Sequence, residues 1–302
     1  MLNVIVPSYN HELYIYECLR SLTKIDKIKV NIIVVDDCSS DKTVYKVERF
    51  IAENKSDVSI KLIKKEVNKG VVDSLNLGIS NVNKGYVYLI ASDDVVNPAA
   101  MMRAIETIEQ NQNYKFVISN GYNFCKERII SEVYSNKLKQ FLELPPKVRR
   151  NKLFTDYPKP LLLQSTLFKY TSLAEVGFWN QNVILDDYSM FVKLFNKLPV
   201  INYDFCYLQD NFIVNYRAHE GNSYSNIQRQ YAIVKQFFLS ETPPKILHKS
   251  LGSRLSFYVL ISLKNRQYTD VYSLVRGESF RTMAWATLFA PIYIIRKLMK
   301  VR

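Results

Sequence analysis

The feature that most constrains this chain is an alternation that fills its first 120 residues. Short apolar runs at Leu2–Val6, Ile32–Val35, Ile60–Ile63, Val87–Ile90 and Phe116–Ser119 have strand length and are rich in β-branched residues. Helix-like stretches separate them: Glu12–Lys24, Asp41–Asn54, Val71–Asn81 and Pro98–Asn111. Asp41 suits a helix cap and Pro98 a first helical turn. Strands apolar on both faces, alternating with helices, predict an α/β fold with a mostly parallel central sheet flanked by helices.

Ligands of such sheets bind beyond the carboxyl ends of the strands. PSYNHE follows the first run, DDCSSD the second, KKEVNKG the third and SDD the fourth. Singly each is ordinary turn chemistry. At four equivalent positions they predict one pocket. The adjacent carboxylates Asp93 and Asp94 have no neighbouring Lys or Arg in sequence. The chain lacks the GxGxxG and GxxxxGK[S/T] phosphate cradles. A divalent cation between the carboxylates and a diphosphate would therefore account for the pair; a solvated Asp pair ending a strand is the plainer account.

Beyond residue 121 the pattern changes. A strand is expected at Arg128–Tyr134, then a Pro/basic loop ELPPKVRRNK and an apolar segment at Leu161–Phe168. A helix is expected from about Asp187 to Leu198, then strands near Val200–Tyr203 and Asn211–Tyr216. Residues 223–300 read as helical, with a break at Pro243-Pro244. The expected division is a catalytic domain at 1–225, its halves 1–120 and 121–225, and a C-terminal helical extension at 226–302.

PSYNHE with VVDDCSSD, NKGVVDSLNLGI, IASDD, the Asp186-Asp187 pair and YRAHEGNSYS, in this order, resemble the inverting family 2 glycosyltransferases of GT-A fold. The resemblance covers about residues 1–225. It implies that Pro7, Tyr9 and Glu12 line a nucleotide pocket and that Asp37 accepts the uracil N3 proton. It places Asp93 by the ribose or sugar and Asp94 on a metal, Mn2+ or Mg2+, with His219. Asn76 and Gly78 match an Asn-x-Gly segment beneath the donor. Asp187 becomes the general base, with Asp186, Arg217, Asn222 and Ser223 around the substrate. A single displacement would turn an α-linked donor into a β-glycoside.

The chemistry of the residues agrees. A Tyr on a strand-end loop offers a stacking face, although such aromatics often only pack. An ionised Asp accepts without donating, so Asp37 suits an imide N–H, as in uracil, thymine or guanine. Two acids in a first helical turn also favour the helix dipole, so capping alone would explain one of them. Arg217 suits a phosphate, and Asn222 or Ser223 would also serve as a plain N-cap. Three features depart from the family: Ala91 where Asp is common, GFWNQN where Gly-x-Phe-Asp-Glu is common, and Asp186 for Glu. The Gln-x-x-Arg-Trp signature of processive synthases is absent, which favours one sugar per encounter. Competing expectations are a catalytically inactive assembly subunit and a nucleotidyltransferase.

The net charge of +13 suits a polyanionic partner, and no nucleic-acid module accompanies it. The four cysteines lack metal-type spacing, and no basic leader precedes the first strand, as expected for a cytoplasmic protein with reduced thiols. Residues 281–302 carry five basic residues and no acid around an apolar core, Met283–Ile295, too short to span a bilayer. Trp285, Phe289 and Tyr293 share one helical face. That composition predicts a helix lying on the inner face of the cell membrane, against anionic headgroups; a helix docked on its own domain is the simpler alternative. Lys147, Arg149, Arg150 and Lys152 would then face headgroups or a polyprenyl-diphosphate-linked glycan acceptor, or form a solvated loop. The expected donor is a nucleotide sugar, most simply a UDP-sugar.

Overall fold

The computed structural model describes residues 1–125, 128–218 and 226–298, with side chains as far as Ile295. The elements in chain order begin β1 (Leu2–Ser8), α1 (Ile15–Leu22), β2 (Val30–Asp36), α2 (Thr43–Glu53), β3 (Ser59–Lys64) and α3 (Val71–Ile79). Next come β4 (Tyr86–Leu89), β5 (Val95–Val96), α4 (Pro98–Gln110), β6 (Phe116–Cys125), β7 (Arg128–Glu132), α5 (Asn136–Leu142) and α6 (Pro146–Thr155). After a short 3-10 turn at Leu163–Ser165 follow β8 (Thr166–Lys169), α7 (Tyr170–Val176), α8 (Asp186–Lys197) and β9 (Phe205–Arg217). The last elements are α9 (Ile227–Glu241), α10 (Leu247–Lys264), α11 (Tyr268–Val275) and α12 (Phe280–Leu298).

Two compact units result, one from residues 1–146 and 158–219, the other from 147–157 and 220–302. The first holds the sheet, in the order β3-β2-β1-β4-β8-β6-β9-β5 with β7 beside β6. β1 to β4 are parallel, as the alternation predicts. β8 is antiparallel to both β4 and β6, so β6 and its parallel neighbour β9 run with β1–β4. The carboxyl ends of β4 and β9 therefore share one edge. β1 and β2 are buried on both faces, whereas β3 alternates because it is the sheet's margin. Gly78 lets α3 lie directly on β1: a Cβ there would stand 2.3 Å from Ile5 Cγ2.

Two segments differ from their sequence reading. Val200–Tyr203 forms a turn with an isolated bridge, not a strand. Asp204 Oδ2 accepts the Val200 N–H at 2.7 Å and Asn202 takes a left-handed φ of 62°. The Pro/basic run is helix α6, with Pro146 at its first position, where a missing N–H costs nothing. Arg149 on it is buried, so it does not join Lys147 and Arg150 at the surface.

In the second unit α10 is central and packs against α9, α11 and α12. Gly252 admits α12, since a Cβ would lie 2.5 Å from Trp285 Cβ. Tyr293 reaches Ser253 Oγ at 2.8 Å and packs on Phe257. The aromatic face Trp285–Phe289–Tyr293, expected to meet lipid, thus faces α10 in part. What stays exposed is a different, aliphatic face carrying Leu288, Ile292 and Ile295 at i, i+4 and i+7. Among the described residues, no helix is long and apolar enough to cross a membrane.

Candidate active site

The loops after β1 and β2 are laced together at the carboxyl edge. Asn10 N–H donates to Ser39 Oγ at 2.9 Å, and Ser40 N–H donates back to Asn10 Oδ1 at 2.8 Å. His11 N–H reaches Thr43 Oγ1 at 2.8 Å; Glu12 N–H reaches Asp41 Oδ2 at 3.0 Å. Glu12 Oε2 in turn accepts the Lys42 N–H at 2.9 Å. Glu12 is therefore a brace between loops. Pro7 is half-buried, and the Tyr9 ring is 46% exposed beside them.

Asp37 is buried at the end of β2. Its carboxylate accepts the Lys69 and Gly70 N–H groups at 2.9 and 2.7 Å and pairs with Lys65 Nζ at 2.6 Å. A carboxylate offers about four acceptor directions, so roughly one is left for a base N–H. Lys65 also bridges to Asp73 at 2.6 Å, fixing the start of α3.

The Asp93-Asp94 pair lies in opposite circumstances. Asp94 is fully buried: Oδ1 accepts the Arg217 N–H at 2.8 Å and Oδ2 accepts from Gln164 Nε2 at 3.0 Å. Burial, and then the neighbouring Asp93 charge, push its carboxyl well above the usual carboxylate range. The Asp93 side chain keeps 13% exposure, with its Oδ1 3.9 Å from His11 Nδ1, which contacts Ser92 Oγ at 2.7 Å.

Arg217, expected to fork onto phosphate, is turned into the protein. Its Nε donates to the Asp93 carbonyl at 2.7 Å and its Nη2 pairs with Glu17. The guanidinium lies over the Tyr14 and Phe124 rings, 4.9 and 4.3 Å from their centroids. The cation missing beside the Asp pair in sequence thus arrives from β9, more than a hundred residues away.

The turn Leu163–Ser165 joins the two halves of the site. Leu163 N–H donates to Asp187 Oδ1 at 2.7 Å, while the next residue, Gln164, holds Asp94. Tyr88 Oη donates to the Gln164 carbonyl at 2.7 Å, and Tyr134 Oη accepts the Leu162 N–H at 2.7 Å. Burial, then the Asp186 charge and the more distant Asp94 charge, push Asp187 well up. Burial also raises Asp186, whose carbonyl accepts from Trp179 Nε1 at 3.1 Å. Asn76 makes reciprocal hydrogen bonds with the Trp179 backbone, at 2.9 and 3.2 Å, and so secures the segment that leads from α7 into α8.

Pattern reading passes over Gln164, Glu17 and Tyr134, which belong to no motif. The one available signal is the polar Gln-Ser-Thr break in LLLQSTLF. His219, Asn222 and Ser223 lie outside the described residues. Among the described residues no three His, Cys, Asp or Glu side chains form a metal-ligand cluster. Asp93 fits a hard dication as one oxygen ligand, since magnesium and manganese sites commonly take one or two carboxylates and complete their shell with phosphate and water. Asp94 has both oxygens engaged within the protein.

The sequence profile described as "Glycosyl transferase family 2" matches residues 3–170. An uncharacterized glycosyltransferase of Haemophilus influenzae is 30% identical over 135 residues, 45% of this chain and 42% of that one. Poly-beta-1,6-N-acetyl-D-glucosamine synthase of Staphylococcus epidermidis is 25% identical over 193 residues, 64% of this chain and 45% of that one. The chain thus spans less than half the length of these curated relatives. Among solved structures, Staphylococcus aureus TarS 1-349 in complex with UDP-GlcNAc superposes with a TM-score of 0.59 at 20% identity, covering 94% of this chain and 78% of TarS 1-349. Mannosyltransferase PcManGT from Pyrobaculum calidifontis, in complex with GDP-Man and Mn2+, gives 0.57 at 17% identity, covering 97% and 80%. The fold is the GT-A fold of these glycosyltransferases.

Proposed function

The chain belongs to glycosyl transferase family 2, and from that premise we propose that it transfers one sugar, with inversion, from a nucleotide-diphosphate donor to a glycan hydroxyl. The observation that supports this most is the shared turn, which suspends Asp187 and Asp94 from neighbouring residues. Asp187 removes the acceptor hydroxyl's proton as that oxygen bonds to the anomeric carbon. The bond from that carbon to the diphosphate oxygen breaks, and its electron pair leaves with the nucleotide diphosphate. Tyr9 offers a face to the base, next to Pro7, and Asp37 one remaining acceptor for an imide N–H. That acceptor suits uracil, as it would thymine or guanine, and the UDP-GlcNAc bound by TarS makes a UDP-sugar the first donor to test. Asp93 is the carboxylate best placed to hold Mn2+ or Mg2+, which when bound offsets the charge of the departing diphosphate. Glu12, Asn76, Asp94 and Arg217 position this machinery; Asp186 borders the base. His219, Asn222 and Ser223 keep the metal and substrate roles implied by resemblance.

The acceptor reading is a surface polysaccharide under construction, carried on polyprenyl diphosphate, and the similarity to the Staphylococcus epidermidis poly-beta-1,6-N-acetyl-D-glucosamine synthase favours polysaccharide chemistry. A panel of nucleotide sugars with manganese tests the reaction class. Free nucleoside diphosphate is expected; pyrophosphate would indicate a nucleotidyltransferase, and no release an inactive assembly subunit.

Because Asp187 acts as a base, only its ionised form works. With its carboxyl raised by burial and neighbouring charge, activity should fall as pH drops through that raised value. The acid limb of kcat/KM is expected above the ordinary carboxylate range; a limb near pH 4, the value of an unperturbed carboxylate, would contradict the assignment.

The second unit is the membrane-facing part of the reading. It holds 17 Lys and Arg against five acids, twelve of the thirteen net positive charges. Its exposed α12 face carries Phe280 and Leu288, 85% and 62% exposed, with Ile292 and Ile295. Basic charge around an aliphatic face complements an anionic bilayer surface. Leu288→Glu with Ile295→Glu is expected to abolish sedimentation with phosphatidylglycerol vesicles and leave donor cleavage intact. Equal sedimentation of the variant, or of the parent with uncharged vesicles, would refute the assignment.

A further inference from the structure

A hollow of about 900 Å³ lies away from the carboxylates, between the α4 stretch Arg103–Gln110, helix α5 and the middle of β9. It is in the upper part of the range of about 300–1,000 Å³ that small-molecule sites occupy. A bulge builds it. Ser119 pairs with Leu208 and Asn120 with Phe212, so Gln209, Asp210 and Asn211 have no partner in β6. Regular pairing of two long parallel strands has no need of three extra residues, and bulges serve to re-aim side chains.

The bulge is firmly anchored. Asn211 is buried; its Nδ2 donates to the Ala100 carbonyl at 2.9 Å and to Ser119 Oγ at 3.0 Å. Its Oδ1 accepts from Arg103 Nε at 2.9 Å. Gln209 Nε2 donates to Asn136 Oδ1, at 2.5 Å, on the first residue of α5. Bulge, α4 and α5 are thereby held together around the hollow by the protein's own hydrogen bonds.

Its lining is rich in uncommitted polar groups. The Arg103 Nη groups, Lys139 Nζ and the Gln140 amide make no hydrogen bond among the described residues. Neither do the Glu106 and Asp210 carboxylates, and the Tyr207 hydroxyl is buried without a partner. One Arg and one Lys face one Glu and one Asp, so the charges cancel and an anion gains little. Donors and acceptors in near balance suit hydroxyls and acetamides, which are both at once. Tyr207 and Leu208 supply apolar surface for the C–H faces of a sugar ring.

We propose that this groove binds a neutral stretch of glycan, several sugar units of acceptor or product chain away from the reacting end. The assignment rests on the reading that the first unit works on glycans. It gives the enzyme a second hold on its polymer, so that effective concentration at the reacting end rises without a tighter catalytic pocket.

Saturation-transfer NMR with the full chain tests it, using neutral tetramers of β-linked N-acetylglucosamine and β-linked glucose and a sulfated tetramer as anionic control. Transfer to a neutral tetramer is expected, weakened about tenfold in Lys139→Ala with Gln140→Ala, each side chain contributing about one hydrogen bond. Both residues are exposed on α5, so the variant keeps its fold and its donor cleavage. No transfer to either neutral tetramer overturns the proposal, as does unchanged affinity in the variant or preference for the sulfated one. Donor cleavage with a silent groove removes only the groove; a binding groove without donor cleavage removes only the transferase reading.

Discussion

Asp187→Asn is expected to lower sugar transfer by about 10²–10⁴, the usual worth of a positioned general base. The substitution is nearly isosteric, and the asparagine carbonyl can still accept the Leu163 N–H that Asp187 Oδ1 now takes at 2.7 Å. Donor affinity and thermal stability should therefore stay close to those of the parent, so the loss falls on kcat. A tenfold loss corresponds to about 1.4 kcal/mol of barrier, and a thousandfold loss to about 4 kcal/mol. Isothermal titration of UDP beside steady-state kinetics separates the two effects. If more than a tenth of turnover survives with donor binding intact, the proton goes elsewhere.

The second large effect divides the adjacent aspartates. Asp94→Ala is expected to damage the fold as well as the reaction, because the buried Arg217 N–H and Gln164 Nε2 both lose their acceptor. An unsatisfied buried donor costs about 1–3 kcal/mol. Removing a carboxylate that was itself costly to bury beside Asp93 offsets part of this, which leaves about 2 kcal/mol, or roughly 5 °C in melting temperature. Asp93→Ala removes a side chain at the rim and should abolish transfer while melting close to the parent. Differential scanning fluorimetry with a manganese-dependent donor assay distinguishes them. Equal melting of the two variants, or surviving transfer in Asp93→Ala, would reverse the roles proposed for the pair.

The alternating half of the chain was largely legible because its signals are local. β1 and β2 are apolar on both faces, so their burial is written in consecutive residues, and α4 begins at Pro98 as its sequence predicts. The site was legible only as an address. Asp93, Asp94 and Asp187 stand at element ends where a motif can mark them; what holds them does not. Glu17 meets Arg217 across 200 residues, and Gln164 meets Asp94 across 70. Such pairings come from strand order, above all from β9 lying parallel to β6 at the edge where β4 ends. The C-terminal helix α12 was legible as a helix but not in its facing. Its aromatic spacing is real, but periodicity cannot say which of two apolar faces meets the protein; Gly252 on α10 decides that by admitting Trp285.

The lacing of the loops after β1 and β2 has a thermodynamic corollary. Asn10, His11 and Glu12 exchange hydrogen bonds between main-chain N–H groups and side-chain oxygens with Ser39, Ser40, Asp41, Lys42 and Thr43. The ordering entropy of the proposed nucleotide cleft is incurred during folding, not at the moment of encounter. A nucleotide entering such a rim meets a rigid mould, and its association heat reflects contacts formed more than backbone tamed.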